Sequence, residues 1–260
     1  MHHLVSHRVN AERLAVLGWS RAILLQLAHP LVAAGVAEHS GFRSGGLAAI
    51  SRLHHTIRAM LALTFGDDST HRAALDSIRA IHRRVHGRLP AAAGTFAAGT
   101  PYSAEDPDLV LWVHATLLES IPLIYELVVA PLTAEERDRY CAEAAPIAID
   151  LGARAAEVPR TWPAVTAYLD RMYASGAIAV SAEARELAAA VLSPPFAHLV
   201  APAAWANRLL TIGLLPDDIR RQYGLTWSEA RRPALRRLAG VRRAARRVTP
   251  AALALWPEAR

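Results

Sequence analysis

Two groups of histidine and arginine residues have the types and spacing that chemistry requires. In the first, His82 follows Arg79 by three residues and precedes His86 by four, so a helix through this segment would place all three on one face. A neutral imidazole can ligate iron, and a guanidinium can pair with a carboxylate or polarise bound oxygen. The alternative is a hydrogen-bonded core His82 next to a surface His86, which is the commoner outcome when spacing is the only evidence.

The second group, Arg52, His55 and Thr56, has the spacing i, i+3 and i+4 and also shares one helical face. An arginine next to a hydroxyl suits an anionic group or bound dioxygen, and His55 can serve as a second ligand or a proton carrier. A solvated polar face is the alternative interpretation.

Two further histidines, His29 and His114, interrupt strongly apolar segments. An ionisable side chain in such a place needs a hydrogen-bond partner or a chemical task, because burial disfavours its charged form. For both, the commoner explanation is a core histidine with a satisfied ring. Polar residues on otherwise apolar helices are nevertheless the way in which helical proteins build internal cofactor sites.

The elements that must position these residues are predicted to be helices. Of the 260 residues, 53% are hydrophobic and only 6% are aromatic, and a core of alanine and leucine favours helices over strands. We expect an all-α fold, a multi-helix bundle in one domain over residues 1–260. Helices are predicted over residues 22–37, 47–65, 70–86, 109–129, from 133 onwards, 162–175, 181–192, 203–212 and 228–248.

Local signals set the ends of these helices. Ser20 and either Ser69 or Thr70 are predicted N-caps, and Thr133 with Glu136 has the spacing of a capping box. No segment is predicted to be a strand. Residues 88–107 lack periodicity, and a loop of that length in a compact domain is often functional, here as a lid.

Composition excludes several classes of function. All 29 basic residues are arginine, which removes Schiff-base chemistry and a P-loop lysine. Cys141 is the only cysteine, so neither an internal disulfide nor a cysteine-based metal site can form. The metallopeptidase, di-iron, dinucleotide-binding and serine-hydrolase motifs are missing from the sequence. With no export signal and no apolar run of about 20 residues, we expect a cytoplasmic protein without a membrane span.

The segment from Arg231 to Arg247 contains eight arginines. Arginine binds phosphates well, so this segment raises the alternative of a helical nucleic-acid-binding protein. The arginine pairs alternate with apolar residues as in an amphipathic surface helix, and no helix-turn-helix pattern is present. We therefore favour a solvated or partner-docking face.

The two chemical groups follow each other as Arg52-x-x-x-Thr56 and Arg79-x-x-His82-x-x-x-His86. This order resembles the catalytic domain of the rubber oxygenases (latex clearing proteins) and the wider bacterial and fungal oxygenase family that includes the mycophenolic-acid-pathway oxygenase. The resemblance covers about residues 29–223. Four segments are similar to an uncharacterised bacterial branch of that family: Leu25-Gln-Leu-Ala-His-Pro-Leu-Val-Ala-Ala-Gly-Val36, Ile81-His-Arg-Arg-Val-His-Gly87, Pro101-Tyr-Ser-Ala-Glu-Asp-Pro107 and Leu111-Trp-Val-His-Ala-Thr116.

The resemblance implies a bundle around haem b with His82 as the proximal iron ligand. Arg52, Thr56 and Arg79 fall on family positions that line the haem pocket, where they would orient the propionates or the oxygen side. Two residues depart from the relatives. His86 stands where some relatives have an arginine. His55 stands where rubber oxygenases have a lysine that can occupy the distal iron position, so it would either do the same or leave that position open.

Together these features predict a haem-dependent oxygenase or peroxygenase that acts on a small or medium apolar molecule with dioxygen or peroxide. Proton delivery is assigned to His29, His55 or Glu38. A haem carrier or sensor without turnover is the alternative, a homodimer is left open, and the missing export signal argues against a rubber substrate. The candidate catalytic residues are Arg52, His55, Thr56 and His29, and the candidate haem-binding residues are Arg52, Thr56, Arg79, His82 and His86.

Overall fold

The computed structural model describes residues 4–39, 46–193 and 201–260, with the backbone alone for 46–54. This part contains thirteen α-helices and one two-stranded antiparallel sheet, which confirms the predicted all-α class. The helices are α1 (Val5–Ala11), α2 (Leu17–Leu27), α3 (Pro30–His39), α4 (Gly46–Phe65), α5 (Asp68–His82), α6 (Pro107–Val128), α7 (Ala134–Asp150), α8 (Trp162–Ala174), α9 (Ala182–Leu192), α10 (Ala201–Leu214), α11 (Asp217–Gln222), α12 (Arg232–Val248) and α13 (Ala251–Ala254). The strands are β1 (His86–Arg88) and β2 (Pro101–Ser103).

Helix α6 lies at the centre of the core, where it packs against α2, α7, α8 and α12. Its Trp112 is fully buried. The approach of α2 is close because Gly18 has no side chain: a Cβ there would lie 2.7 Å from the backbone oxygen of Ser120. At the same crossing Arg21 donates to the Ser120 hydroxyl at 2.7 Å and to Glu119 at 2.8 Å. The two helices α2 and α6 therefore cross closely, with backbone against backbone at Gly18.

By length and composition α6 is long and apolar enough to cross a membrane. The stretch Arg13–Leu27 reaches that length only together with α3, and the two are bent by 107° where they join. In the most apolar 18-residue window of α6, 72% of the residues are buried inside the protein. A central core helix has this same character, so the apolar sequence of α6 is accounted for by its packing.

The apolar segment predicted as one helix over 22–37 is two helices, so that prediction is wrong. Helix α2 ends at Leu27 and α3 begins at Pro30. Proline has no N–H and its ring clashes with the preceding turn, so the chain restarts there with proline in the first helical position. Ser20 is not an N-cap either, because α2 already begins at Leu17.

The remaining helix ends follow local chemistry. The Thr133 hydroxyl accepts from the backbone of Glu136 at 3.1 Å and the Glu136 carboxylate accepts from the backbone of Thr133 at 2.9 Å, which confirms the predicted capping box. Helix α5 is capped by Asp67, whose carboxylate accepts from the backbone N–H of Thr70 at 2.7 Å. The prediction of Ser69 or Thr70 as the N-cap is therefore wrong by two or three residues, because the cap is Asp67. The predicted turn residues between 40 and 45 lie outside the described residues.

The two ends of the described chain are joined. Glu12 forms a β-bridge with Leu255, and the backbone N–H of Trp256 donates to the Ala11 carbonyl at 3.0 Å. The buried carboxylate of Glu12 also receives hydrogen bonds from Arg246 of α12 at 2.6–3.0 Å. The segment between α1 and α2 is therefore held by residues more than two hundred positions later in the sequence.

Candidate functional site

The site is built on the hairpin of α4 and α5. These two helices are joined by Gly66 and Asp67 alone and pack on each other, so they run antiparallel. Residues equally far from this connection lie at the same level, and Arg52 and His82 are each about 15 residues from it. The hairpin therefore brings the segment Arg52–Thr56 alongside the segment Arg79–His82, which are the two groups singled out by their spacing.

His82 is the last residue of α5 and is half-buried. Burial lowers the pKa of its imidazole, and the negative charge of Glu105 opposes this shift only in part. The ring is accordingly neutral near pH 7, which is the form that ligates a metal. Within the described residues no hydrogen bond to the His82 ring is found. Its nitrogens are thus available to a ligand.

His86 does not share a helical face with His82, and the predicted three-residue face on one helix is wrong in this respect. Helix α5 ends at His82, the chain turns, and the Val85 carbonyl accepts from the backbone of Ala104 at 2.8 Å. His86 then opens β1, opposite Ser103 of β2. Its side chain is exposed. These strands have no local signal in the sequence, because their pairing joins residues about 15 positions apart.

Arg79 lies on the same side of α5 as His82 and is held by the end of α7. Its Nε donates to the carbonyl of Asp150 at 2.9 Å, its Nη2 donates to the same oxygen, and its Nη1 lies 3.7 Å from the Asp76 carboxylate. A guanidinium at the carboxyl end of a helix satisfies an otherwise unpaired carbonyl. This contact joins α5 to α7 and fixes the direction in which Arg79 points.

The apolar stripe of α5 is only partly covered. Leu75 is buried, Ile78 is half-buried, and Ile81 is 50% exposed next to His82. Among the described elements the main packing partner of α5 is α4. A strongly amphipathic helix normally buries its whole apolar stripe. Apolar surface therefore remains beside the neutral imidazole.

The residues of α4 complete the same level of the hairpin. His55 and Thr56 are exposed, and the side chain of Arg52 lies outside the described residues. No hydrogen bond in the described part joins Thr56 to His82. The structure thus places the two groups side by side on neighbouring helices.

His29 and His114 are buried in the core away from this hairpin. The ring of His29, between α2 and α3, has its centroid 5.2 Å from that of Phe96, and its Nδ1 has no partner. His114 on α6 has an unpartnered Nε2. Burial lowers the pKa of each imidazole from its ordinary 6.5 to about 4. Both rings are therefore neutral near pH 7, and neither shows the fully satisfied ring that was the commoner expectation.

A cluster that the sequence did not bring together links α3 to the sheet. The Tyr102 hydroxyl donates to the Glu38 carboxylate, and His39 Nε2 lies 3.1 Å from the His86 carbonyl oxygen. Burial and the Glu38 charge raise the pKa of Tyr102. A Cβ at Gly87 would lie 2.6 Å from the Tyr102 oxygen, so only glycine leaves room for this contact. Of its members, only Glu38 had been named as a proton carrier.

The donor set suits a cofactor that brings its own metal ligands. Among the described residues, no three side chains of histidine, cysteine, aspartate or glutamate converge to hold a metal ion. A porphyrin supplies four equatorial nitrogens and needs one axial ligand from the protein. One neutral histidine beside apolar surface, with two arginines at the same level of the hairpin, fits the iron, the ring and the propionates of haem b.

Comparison with known proteins places the chain in a family. The sequence model of a family described as "ER-bound oxygenase mpaB/B'/Rubber oxygenase, catalytic domain" matches residues 7–244. Two mycobacterial proteins, uncharacterized protein Mb2261 of Mycobacterium bovis and uncharacterized protein Rv2237 of Mycobacterium tuberculosis, are each 28% identical over 235 residues. That alignment covers 88% of this chain and 87% of each relative. No solved structure gives a significant match.

Proposed function

Because the chain belongs to the family of the mpaB/B' and rubber oxygenase catalytic domains, we propose that it is a haem b-dependent oxygenase or peroxygenase with His82 as the axial iron ligand. The observation that carries this proposal is the state of His82. It is half-buried, has a lowered pKa and lies beside the exposed Ile81 at the end of α5. A neutral imidazole next to uncovered apolar surface is what an axial haem ligand requires.

Several residues would hold the cofactor. His82 would bind the iron through the free electron pair of its neutral ring, and Ile78 and Ile81 would lie against the porphyrin and exclude water. Arg79 already donates to a carbonyl at the end of α7, so it would reach a propionate only by exchanging that contact. Arg52 lies on α4 at the same level of the hairpin and is a second candidate for a propionate. His86, exposed in β1, is not needed as a ligand.

When bound, haem supplies the one-electron chemistry by which dioxygen or peroxide oxidises organic molecules. The protein would position the reactants and control protons. Thr56 can donate or accept a hydrogen bond at the level of His82. His29 is neutral near pH 7 because its pKa is about 4. It can therefore act as a general base, but at that pH it lacks the second ring proton with which it would act as a general acid. The uncovered apolar surface beside His82 favours a small or medium apolar substrate, and we propose that the reaction takes place in the cytoplasm.

Absorption spectroscopy after haem supplementation tests the proposal. The purified full chain is expected to show a Soret band, and His82→Gly is expected to lose it and to regain it when imidazole is added to the buffer. His71→Gly is a matched control, because His71 lies at the other end of the same helix and its Nδ1 lies 2.9 Å from the Leu63 carbonyl oxygen. Circular dichroism reports whether each variant is folded.

The outcomes are distinct. A parent protein that takes up no haem would refute the proposal, as would a His82→Gly variant that keeps the parent spectrum without imidazole. Oxygen consumption in the presence of a reductant and an apolar substrate then separates an oxygenase from a protein that only carries haem.

A further inference from the structure

We propose that the outward face of α12 is a docking surface for the anionic headgroups of a lipid bilayer. This surface, called here the α12 face, consists of the side chains of α12 that point away from the core, together with Leu253 of α13. It goes beyond the proposed oxygenase function and does not depend on haem.

The inner side of α12 is firmly attached to the protein. Leu235 and Ala239, one turn apart, are buried. Arg243 donates to the Glu126 carbonyl, and Arg246 binds the Glu12 carboxylate with Nε and Nη2. These contacts fix which side of the helix faces outward, because they lie on one side and cannot all be kept if the helix rotates.

The outer side combines apolar and basic residues. Arg237, Val241, Ala244 and Val248 follow the spacing i, i+4, i+7 and i+11 and so form one stripe opposite the buried residues. Val241 is 66% and Val248 83% exposed, and Leu253 in α13 is 66% exposed. Single exposed apolar residues are ordinary, but three of the six large exposed hydrophobic residues among the described residues lie within thirteen positions here.

The charge of the α12 face is not neutralised by the protein. Glu229, the nearest acidic residue in sequence, already pairs with Arg232 at 2.7 Å. Three exposed arginines of α12 have no ion pair within the described ranges, and the seven arginines of the helix exceed the whole chain's net charge of +6. These three are Arg236, Arg237 and Arg247. This unbalanced positive charge would attract an anionic partner.

A bilayer fits this pattern better than the other anionic partners. A second copy docking through the same face would bring arginines against arginines. On a nucleic acid the outermost valines would gain nothing, because phosphates interact with the arginines alone. The interface of a bilayer takes both kinds of side chain: apolar groups enter the acyl boundary while basic groups remain among anionic headgroups.

Flotation of the full chain with vesicles tests this proposal. Wild-type protein is expected to float with phosphatidylcholine vesicles that contain about one third phosphatidylserine and not with phosphatidylcholine alone, and to be released when salt is raised well above physiological strength. Arg236→Glu with Arg237→Glu is expected to weaken binding at least about tenfold. Arg160→Glu with Arg171→Glu changes the net charge equally at exposed sites on other elements and is expected to leave binding unchanged.

The apolar part has its own variant. Val241→Ser with Val248→Ser is expected to weaken binding to the same vesicles several-fold and to leave the salt dependence as it is. The proposal is overturned if wild type does not float with anionic vesicles, if both arginine double variants lose binding equally, if the valine variant binds like wild type, or if duplex DNA displaces the protein from the vesicles at equal phosphate concentration. Haem uptake plays no part in these readouts, so failure here is separate from failure of the oxygenase proposal.

Discussion

Replacement of His114 by leucine is expected to remove about half of the acid sensitivity that the two buried histidines give to the fold. Burial lowers the pKa of His29 and of His114 from 6.5 to about 4. A group whose pKa is lower in the folded than in the unfolded state stabilises the fold in its neutral form. That contribution is fully present above about pH 6.5 and is lost as the pH falls towards 4, because in this range the two imidazoles are protonated in the unfolded chain but stay neutral in the folded one.

The magnitude follows from the two pKa values. At pH 5 the unfolded imidazole is almost fully protonated and the folded one almost fully neutral, so each histidine lowers the free energy of unfolding by about 2 kcal/mol relative to pH 7. The two together would lower it by about 4 kcal/mol, a large share of the roughly 5–15 kcal/mol typical of a folded domain. The half-buried His82, whose pKa is also lowered, adds to the loss in the same direction.

Urea unfolding at about pH 7 and pH 5 measures this difference. The parent should lose about 4 kcal/mol or more between the two pH values, and His114→Leu should lose about 2 kcal/mol less than the parent. At pH 7 the variant should be about as stable as the parent, because leucine removes a ring nitrogen that has no partner. His7→Leu, at an exposed histidine, is the control and should follow the parent. A His114→Leu variant that loses as much stability as the parent would show that this ring is not held neutral by burial.

Two further predictions concern the frame. Arg246→Met leaves the Glu12 carboxylate buried without its partner and should lower the free energy of unfolding by about 3 kcal/mol. Adding Glu12→Gln to this variant should restore part of the loss. Urea unfolding of the parent and the two variants checks this, and a loss below about 0.5 kcal/mol in Arg246→Met would contradict it. Gly18→Ala should destabilise the protein by about 2 kcal/mol, because its Cβ would lie 2.7 Å from a backbone oxygen. Gly240→Ala, whose Cβ would have no atom within 4 Å, should stabilise α12 by up to about 1 kcal/mol. Thermal unfolding measures both, and melting temperatures that shift in the same direction would contradict the close α2–α6 crossing.

The parts of the fold that could be predicted are those governed by neighbours in sequence. Helix α4 was expected over 47–65 and spans Gly46–Phe65, and the capping box of α7 was expected from the four residues that form it. In both places the residues that decide the structure lie within one or two helical turns of each other. The amphipathic surface character of α12 was predicted for the same reason.

The end of α5 could not be predicted, because distant residues decide it. Leu75, Ile78, Ile81 and Val85 continue the helical repeat beyond His82. The helix nevertheless stops, since the Val85 carbonyl is taken by Ala104 and the following residues pair with β2. Nothing near His86 in sequence signals this pairing, so His86 was placed on the wrong element.

The site was predictable in its residues but not in their environment. Spacing and resemblance selected His82, and the α4–α5 hairpin brings the second group to its level, but the role of either as a haem site stays a prediction. Pro30 carries the local signal that divides the first apolar segment, because proline interrupts a helix even where the hydrophobicity is continuous. The unpartnered nitrogens of His29 and His114 could not be foreseen, because a missing partner is a property of the packed core.

The contact between Glu12 and the segment from Arg246 to Trp256 has a consequence for synthesis on the ribosome. A chain emerges from its amino end, so α1 and α2 are made long before α12 and Leu255 exist. Until then the Ala11 carbonyl and the Glu12 carboxylate have no partners from the far end, and the crossing of α2 with α6 must form first. The last step of folding therefore joins the earliest and latest segments, and a ribosome-bound chain that stops before α12 should remain sensitive to proteases near Glu12.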